Sequence, residues 1–174
     1  MRSELAEDHA RLSAEAFSAS MLGRDFDSLR AILADDVTVV SPITASFRFR
    51  GRDDVIELLR AVREVIDGLE YRPQIAAGNT AVVNFSGRIG TVELEGIDLM
   101  RLDERGAVSE FTVFIRPLAG LTALMAALGP PLARPNGRWR ALVIKLLAGP
   151  LALLTRRSDR LGARPAGRKV ESPD

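Results

Sequence analysis

The stretch Thr91-Val92-Glu93-Leu94-Glu95-Gly96-Ile97-Asp98-Leu99-Met100-Arg101-Leu102-Asp103 alternates with period two. Successive side chains of a strand point to opposite sides, so Val92, Leu94, Gly96, Asp98, Met100 and Leu102 share one face. Glu93, Glu95, Ile97, Leu99, Arg101 and Asp103 share the other. One apolar and one mixed face predict an antiparallel strand packed on a core from one side. Asp98 is the only charge on the apolar face. A carboxylate among aliphatic neighbours loses solvation, which raises its pKa and lets it hold or transfer a proton near neutral pH. The competing uses of the same residue are a loop cap, an arginine pair or an exposed strand end.

Outward from this strand, Leu69 to Ala76, Thr80 to Ile89 and Ala107 to Ile115 read as further strands. Gly78-Asn79, Gly90 and Glu104-Arg105-Gly106 separate them as turns. Short links between consecutive strands favour an antiparallel meander, hence an α+β rather than an α/β chain. Upstream, Leu5, Ala10, Leu12, Ala16, Phe17 and Met21 recur near helical spacing, ending at Gly23. A short helix is expected from about Asp27 to Leu33, capped by Asp25 or Asp27. Two strands follow around a Ser41 to Ala45 turn, the first over Val37 to Pro42 and the second carrying Phe47 and Phe49. From Gly51 a helix runs to about Asp67, with Val55, Leu58, Leu59, Val62, Val65 and Ile66 as its apolar stripe. Downstream, Leu121 to Leu128 predicts a helix that Gly129-Pro130-Pro131 stops.

The chain has 174 residues, 47% of them hydrophobic, which suits one buried core rather than two domains. Its charge is unevenly spread. Residues 1–133 hold 14 Arg against 20 Asp and Glu, whereas 134–174 hold 10 Lys and Arg against 3 Asp and Glu. Such asymmetry marks an appended segment. Accordingly, 1–133 is expected to form the main domain, 134–155 a basic amphipathic helical extension and 156–174 a disordered basic tail. Without cysteine there is no disulfide framework, thiolate metal site or cysteine nucleophile, and the single His9 leaves no His-rich metal site. The acidic residues Glu4, Glu7, Asp8 and Glu15 do not fit a secretory signal, so a cytoplasmic location is the default expectation. No glycine-rich phosphate loop occurs. The basic tail lacks interleaved aromatics, so no nucleic-acid partner is expected.

Several polar groups compete for a role in chemistry. Thr80, Asn84, Ser86 and Arg88 share a strand face, either to orient a ligand or to meet solvent. Glu110, Thr112, Phe114 and Arg116 share another, with Glu110 a second candidate acid. Asp35-Asp36 lies between helix and strand, where carboxylates serve turns, and lacks visible partner ligands for a metal. The segment Trp139 to Leu154 is too short and too basic to span a bilayer, but its apolar stripe is flanked by Arg138, Arg140, Arg156, Arg157 and Arg160. Residues 138–160 therefore suit peripheral contact with an anionic membrane, or packing on their own domain or a partner.

Three local motifs resemble the nuclear transport factor 2-like (NTF2-like) superfamily and its SnoaL-like branch. They are Leu33-Ala34-Asp35-Asp36-Val37-Thr38-Val39 with Ser41-Pro42, then Phe49-Arg50-Gly51-Arg52, then Ile97 to Asp103 with Gly106. The strand Phe111 to Pro117 adds to the match, which covers about residues 5–130. The resemblance implies a cone, with N-terminal helices packed on a strongly curved antiparallel sheet around an apolar pocket, often in a homodimer. It implies a small apolar or polycyclic ligand, no cofactor and no metal, and either binding alone or a cofactor-independent isomerase, cyclase or dehydratase. Asp98 falls where ketosteroid isomerases place the acid that donates to the developing oxyanion, an example well known among carboxylic acids kept neutral. Ser41 stands at the place of their aspartate base and Phe17 at that of their oxyanion tyrosine, so ordinary ketosteroid isomerisation is disfavoured. Val113 departs from the acid that the epoxide hydrolase pattern requires near this point. Asp98 is thus the catalytic candidate. The candidate ligand contacts are Phe17, Ser41, Phe49, Leu59, Val92, Leu94, Met100, Glu110, Phe114 and Arg116.

Overall fold

The period-two strand sits in the middle of a seven-stranded sheet in the computed structural model, which describes residues 2–42 and 48–133. Helices α1 (Arg2–Gly23) and α2 (Phe26–Ala31) precede β1 (Leu33–Val40) and β2 (Phe49–Arg50). Helix α3 (Arg52–Val65) leads to β3 (Asp67–Tyr71), β4 (Ile75–Ala77), β5 (Thr80–Ile89), β6 (Val92–Leu102) and β7 (Val108–Arg116), and α4 (Leu118–Ala133) follows. Strands β5, β6 and β7 form the expected antiparallel meander, with Val83 and Val113 flanking Asp98 on either side. Strand β1 extends the sheet by pairing parallel to β7, Val39 opposite Phe111, and β2 pairs antiparallel to β1. The result is a curved, unclosed α+β cone, as the sequence indicated.

The inward face of β6 is the one alternation assigned: Val92, Leu94, Gly96, Asp98, Met100 and Leu102 are all buried. Helix α1 covers it with Ala10, Ala14, Phe17 and Met21, residues three or four apart on one stripe. Helix α3 contributes Val55, Ile56, Leu58, Leu59 and Ala61. Its start is tied to β1 by Arg52, whose guanidinium donates to the Leu33 carbonyl at 2.6 Å and pairs with Asp35 at 2.9 Å. Asp25 caps α2, accepting from the Ser28 amide at 3.0 Å. Gly96 lets β6 bend closely over its neighbours, because a Cβ there would lie 2.6 Å from the Phe85 ring and against the Phe114 carbonyl oxygen.

Four features differ from the sequence reading. Leu33 begins β1 instead of ending α2. The segment Leu69 to Ala76 is two strands, both on β5, separated by Arg72-Pro73-Gln74. Pro73 has no amide hydrogen for the ladder, and pairing stops after the Arg72 amide reaches the Asn84 carbonyl at 3.0 Å. The parallel β1–β7 pair makes the sheet more than a meander. Helix α4 continues through Gly129-Pro130-Pro131 to Ala133: a proline's fixed φ is itself helical, so the last turn continues although each proline forgoes an amide donor. The expected Ser41 to Ala45 turn falls largely, and Phe47, the 134–155 extension and the 156–174 tail fall wholly, outside the described residues.

Replacing Gly96 by alanine is expected to destabilise the fold by about 2 kcal/mol, since the backbone carbonyl of Phe114 cannot yield as a flexible side chain would. Urea unfolding of the variant beside the parent measures this.

Candidate functional site

Between the inward sheet face and the helices lies a cavity in which the centre of a water-sized molecule has about 70 Å³ of space. Helix α1 supplies Phe17 and Met21 to its wall, and α3 supplies Leu58, Leu59 and Val62. Ile66, Leu69 and Tyr71 come from the α3 end and β3, Val39 from β1 and Leu124 from α4. The central strands add Phe85, Asp98, Phe111, Val113 and Ile115. Aromatic rings shape the interior: Phe17 lies 5.3 Å from Phe111 and 6.2 Å from Tyr71, and Tyr71 lies 6.5 Å from Phe85. These are edge or tilted contacts, the favoured geometry for ring pairs.

Asp98 and Tyr71 are the polar side chains in this wall. Asp98 is 9% exposed, and no donor among the described residues hydrogen-bonds its carboxylate. Burial alone therefore pushes its pKa up to about 7, because nothing replaces the water that would stabilise the charge. The Tyr71 phenol is pushed above its ordinary value, first by burial and then by the negative charge of Asp98, with Arg63 opposing. Arg63 itself is held on main-chain carbonyls, its Nε donating to Met21 at 3.0 Å and a terminal nitrogen to Ile66 at 3.5 Å. At neutral pH the site thus holds one carboxyl near half-ionisation and one neutral phenol in apolar surroundings, an arrangement fit for proton transfer.

Of the residues singled out from sequence, Phe17, Leu59 and Asp98 meet at this cavity. Leu94 and Met100 are buried in the core behind its wall, and Val92 packs in a separate small cluster with Ala119 and Ala123. Phe49 packs against the core from β2, and Ser41 is half-buried just beyond β1, neither reaching the wall. Glu110, Phe114 and Arg116 lie on the opposite face of the sheet, which corrects their assignment to the pocket. The cause is register: Phe111, Val113 and Ile115 stand opposite the inward-facing Met100, Asp98 and Gly96, so their even-numbered neighbours point outward. Outside, Glu110 pairs with Arg101 at 3.7 Å and with Arg48 at 3.9 Å, Arg116 pairs with Glu95 at 3.0 Å, and Phe114 is 51% exposed. The Thr80, Asn84, Ser86 and Arg88 row lies off the cavity as well. The sequence reading missed Tyr71, Phe85, Phe111, Val113 and Ile115. The apolar row on β7 was visible as alternation, whereas Tyr71 enters only through the pairing of β3 with β5.

Among the described residues no group of His, Asp and Glu is placed to hold a metal ion, and no helix is long and apolar enough to cross a membrane. The model of the SnoaL-like domain matches residues 14–111. A steroid delta-isomerase from Pseudomonas aeruginosa is 32% identical, with a TM-score of 0.67, over 74% of this chain and 94% of that one. An uncharacterised bacterial protein with a cystatin-like fold from Silicibacter pomeroyi is 27% identical, with a TM-score of 0.66, over 78% of this chain and 93% of that one. An NTF2-like protein of unknown function from Mesorhizobium loti, 16% identical over 64% of this chain and 93% of that one, shares the fold with a TM-score of 0.57. Comparison with curated proteins gave no match.

An acid whose pKa rises from 3.8 to about 7 on folding favours the folded state most below pH 3.8, and that advantage is lost as pH climbs to 7. Between pH 5 and pH 8.5 the loss is about 2 to 3 kcal/mol. Urea unfolding of the parent and Asp98→Asn at both pH values is expected to show this loss in the parent and its absence in the variant.

Proposed function

The chain belongs to the SnoaL-like domain family, and we propose that it binds a small apolar or polycyclic ligand in its cone, with Asp98 moving a proton on it. The observation that carries this reading is a single carboxyl, with no hydrogen-bond donor among the described residues, in a cavity wall that is apolar apart from the Tyr71 phenol. A pKa near 7 gives both protonation states at neutral pH, as a general acid or base requires. On a ketone with a β,γ carbon–carbon double bond, the ionised Asp98 accepts a proton from the carbon beside the carbonyl; that C–H pair becomes a double bond to the carbonyl carbon as the C=O π pair moves onto oxygen, giving a dienolate. The oxygen's pair then re-forms the carbonyl, the double bonds shift along the chain, and the far γ carbon takes the proton back from the neutral Asp98. The net change is isomerisation, with no co-reactant consumed. Relationship to a steroid delta-isomerase supports this class of reaction.

Phe17 and Ser41, where related isomerases carry a tyrosine and an aspartate, favour the alternative of ligand binding without turnover. Deuterium uptake from heavy water by a β,γ-unsaturated ketosteroid, followed by NMR, separates the two. Catalysis is expected to give exchange that rises with pH through about 7, as Asp98 ionises, and that falls at least roughly a hundredfold in Asp98→Asn. Retention of the steroid without exchange in the parent leaves only the binding role.

The outer sheet face supports a second copy of the chain as partner. Phe114 stands beside Ile97 there, 51% exposed, and ion pairs of both signs, Glu95–Arg116 and Arg101–Glu110, surround the patch. A two-fold axis through such a patch sets apolar side chains on one another and opposite charges within reach. Light scattering is expected to give a dimer for the parent and a monomer for Phe114→Glu. A monomeric parent overturns the proposal.

A further inference from the structure

We propose that the chain docks on an anionic membrane surface, lying on it through the outer face of α4 and residues 138–160 without crossing it. The inference goes beyond the ligand-binding reading and does not depend on it. It begins with α4, where no residue from Pro117 to Ala133 carries a charge. One side of this helix packs on the domain: Ala119, Thr122, Ala123, Leu124 and Leu128 are buried, and Gly120 lies so close to Leu94 that a Cβ would clash with it. The other side is apolar as well. Leu118 is 60% exposed, and Leu121 and Met125, three and seven places on and so on the same side, are half-buried. Surface helices turn charges to water, and one that is apolar all round needs a second apolar surface to meet.

The chain that follows α4 indicates what that surface is. Between Arg134 and Ser158 there is no acid, whereas Arg138, Arg140, Lys145, Arg156 and Arg157 are cations, with Arg160 just beyond. Read as the helix its spacing predicts, 139–154 carries large apolar side chains around more than half of its circumference, since Ile144 and Leu151 widen the stripe of Trp139, Leu142, Leu146 and Leu147. Lys145 falls on the remaining side, among Ala141, Ala148 and Ala152. Packing against α4 would cover part of that stripe and leave the cations unmatched, because α4 has no Asp or Glu. A bilayer surface accommodates both. Its acyl boundary takes the apolar stripe and the outer face of α4, and anionic headgroups take the arginines at either end. Residues 1–133 hold more acids than bases, so the rest of the domain is repelled from such a surface and the docked orientation is defined. The same helix supplies Leu124 to the cavity wall, which sets the cavity next to the docked surface.

Co-sedimentation of the full chain with vesicles tests this, using phosphatidylcholine alone and phosphatidylcholine mixed roughly two to one with phosphatidylglycerol. The parent is expected to bind the mixed vesicles at least roughly tenfold more strongly than the neutral ones, and to lose that preference in about 1 M salt. Reversing three charges together, Arg156→Glu, Arg157→Glu and Arg160→Glu, is expected to remove the preference as well. Leu118→Glu is expected to weaken binding to the mixed vesicles roughly fivefold or more. That side chain is already exposed, so the fold is expected to survive the change, which circular dichroism checks. No binding by the parent, or equal binding to both kinds of vesicle, overturns the proposal, and the first result leaves 138–160 to pack on its own domain or on a second copy. Undiminished binding by Leu118→Glu removes α4 from the contact and overturns the proposed docking face. None of these readouts needs a ligand in the cavity, so they stand or fall apart from the reading of Asp98.

Discussion

A carboxyl group on the buried face of the central strand is the constraint around which the rest of the cavity is arranged. Alternation in β6 admits no compromise: with Met100 and Leu102 inward, Asp98 must be inward too. Its neighbours across the ladder, Val83 and Val113, offer no donor, and Gly96, two residues before it, offers no side chain. The group consequently titrates near neutrality through loss of water alone. Other acids of the same sheet live differently. Glu95 and Glu110 point outward and each finds an arginine, so the contrast lies in the face of the strand and not in any shortage of cations.

Curvature turns that face into a hollow. A flat sheet under α1 and α3 would be filled by their apolar stripes, leaving no space of 70 Å³. Gly96 permits the approach of the Phe85 ring and the Phe114 backbone, and the break at Arg72-Pro73-Gln74 lets β3 and β4 follow the two ends of β5 separately. This break also leaves Tyr71 as a strand terminus, where an aromatic ring can lean inward between Phe17 and Phe85. Backbone exceptions made for shape thus decide which polar atoms reach the interior.

How much of this was legible beforehand follows from the range of each signal. Local periodicity located β5, β6, α3 and the inward position of Asp98, because each depends only on residues within a few places of one another. The resemblance to NTF2-like proteins carried the cone, since no local pattern tells that β1 pairs parallel to β7. Strand β7 shows the limit of local alternation. It separates Phe111, Val113 and Ile115 from Glu110, Thr112, Phe114 and Arg116, and taken alone it offers the polar row as the functional one. Register against β6 reverses that choice, and register is a long-range fact. Tyr71 was invisible for the same reason: in sequence it ends an unremarkable strand, and only the fold sets it beside Asp98.

The buried acid lowers stability where a neutral side chain would not. A leucine or methionine at position 98 would match the apolar neighbours, fill part of the cavity and carry no charge to desolvate above pH 7. In a sheet whose remaining inward positions are aliphatic, aromatic or glycine, the carboxyl therefore works against stability at the pH where it ionises. Strongly perturbed groups of this kind cluster at functional sites, and the stability lost to this one is supplied by ordinary packing elsewhere, here by the stripes of α1 and α3. The hollow reinforces the point, since empty apolar space also lowers stability by forfeiting contacts. An acid and a void placed together are two costs at one address, and a ligand that fills the void while engaging the acid removes both.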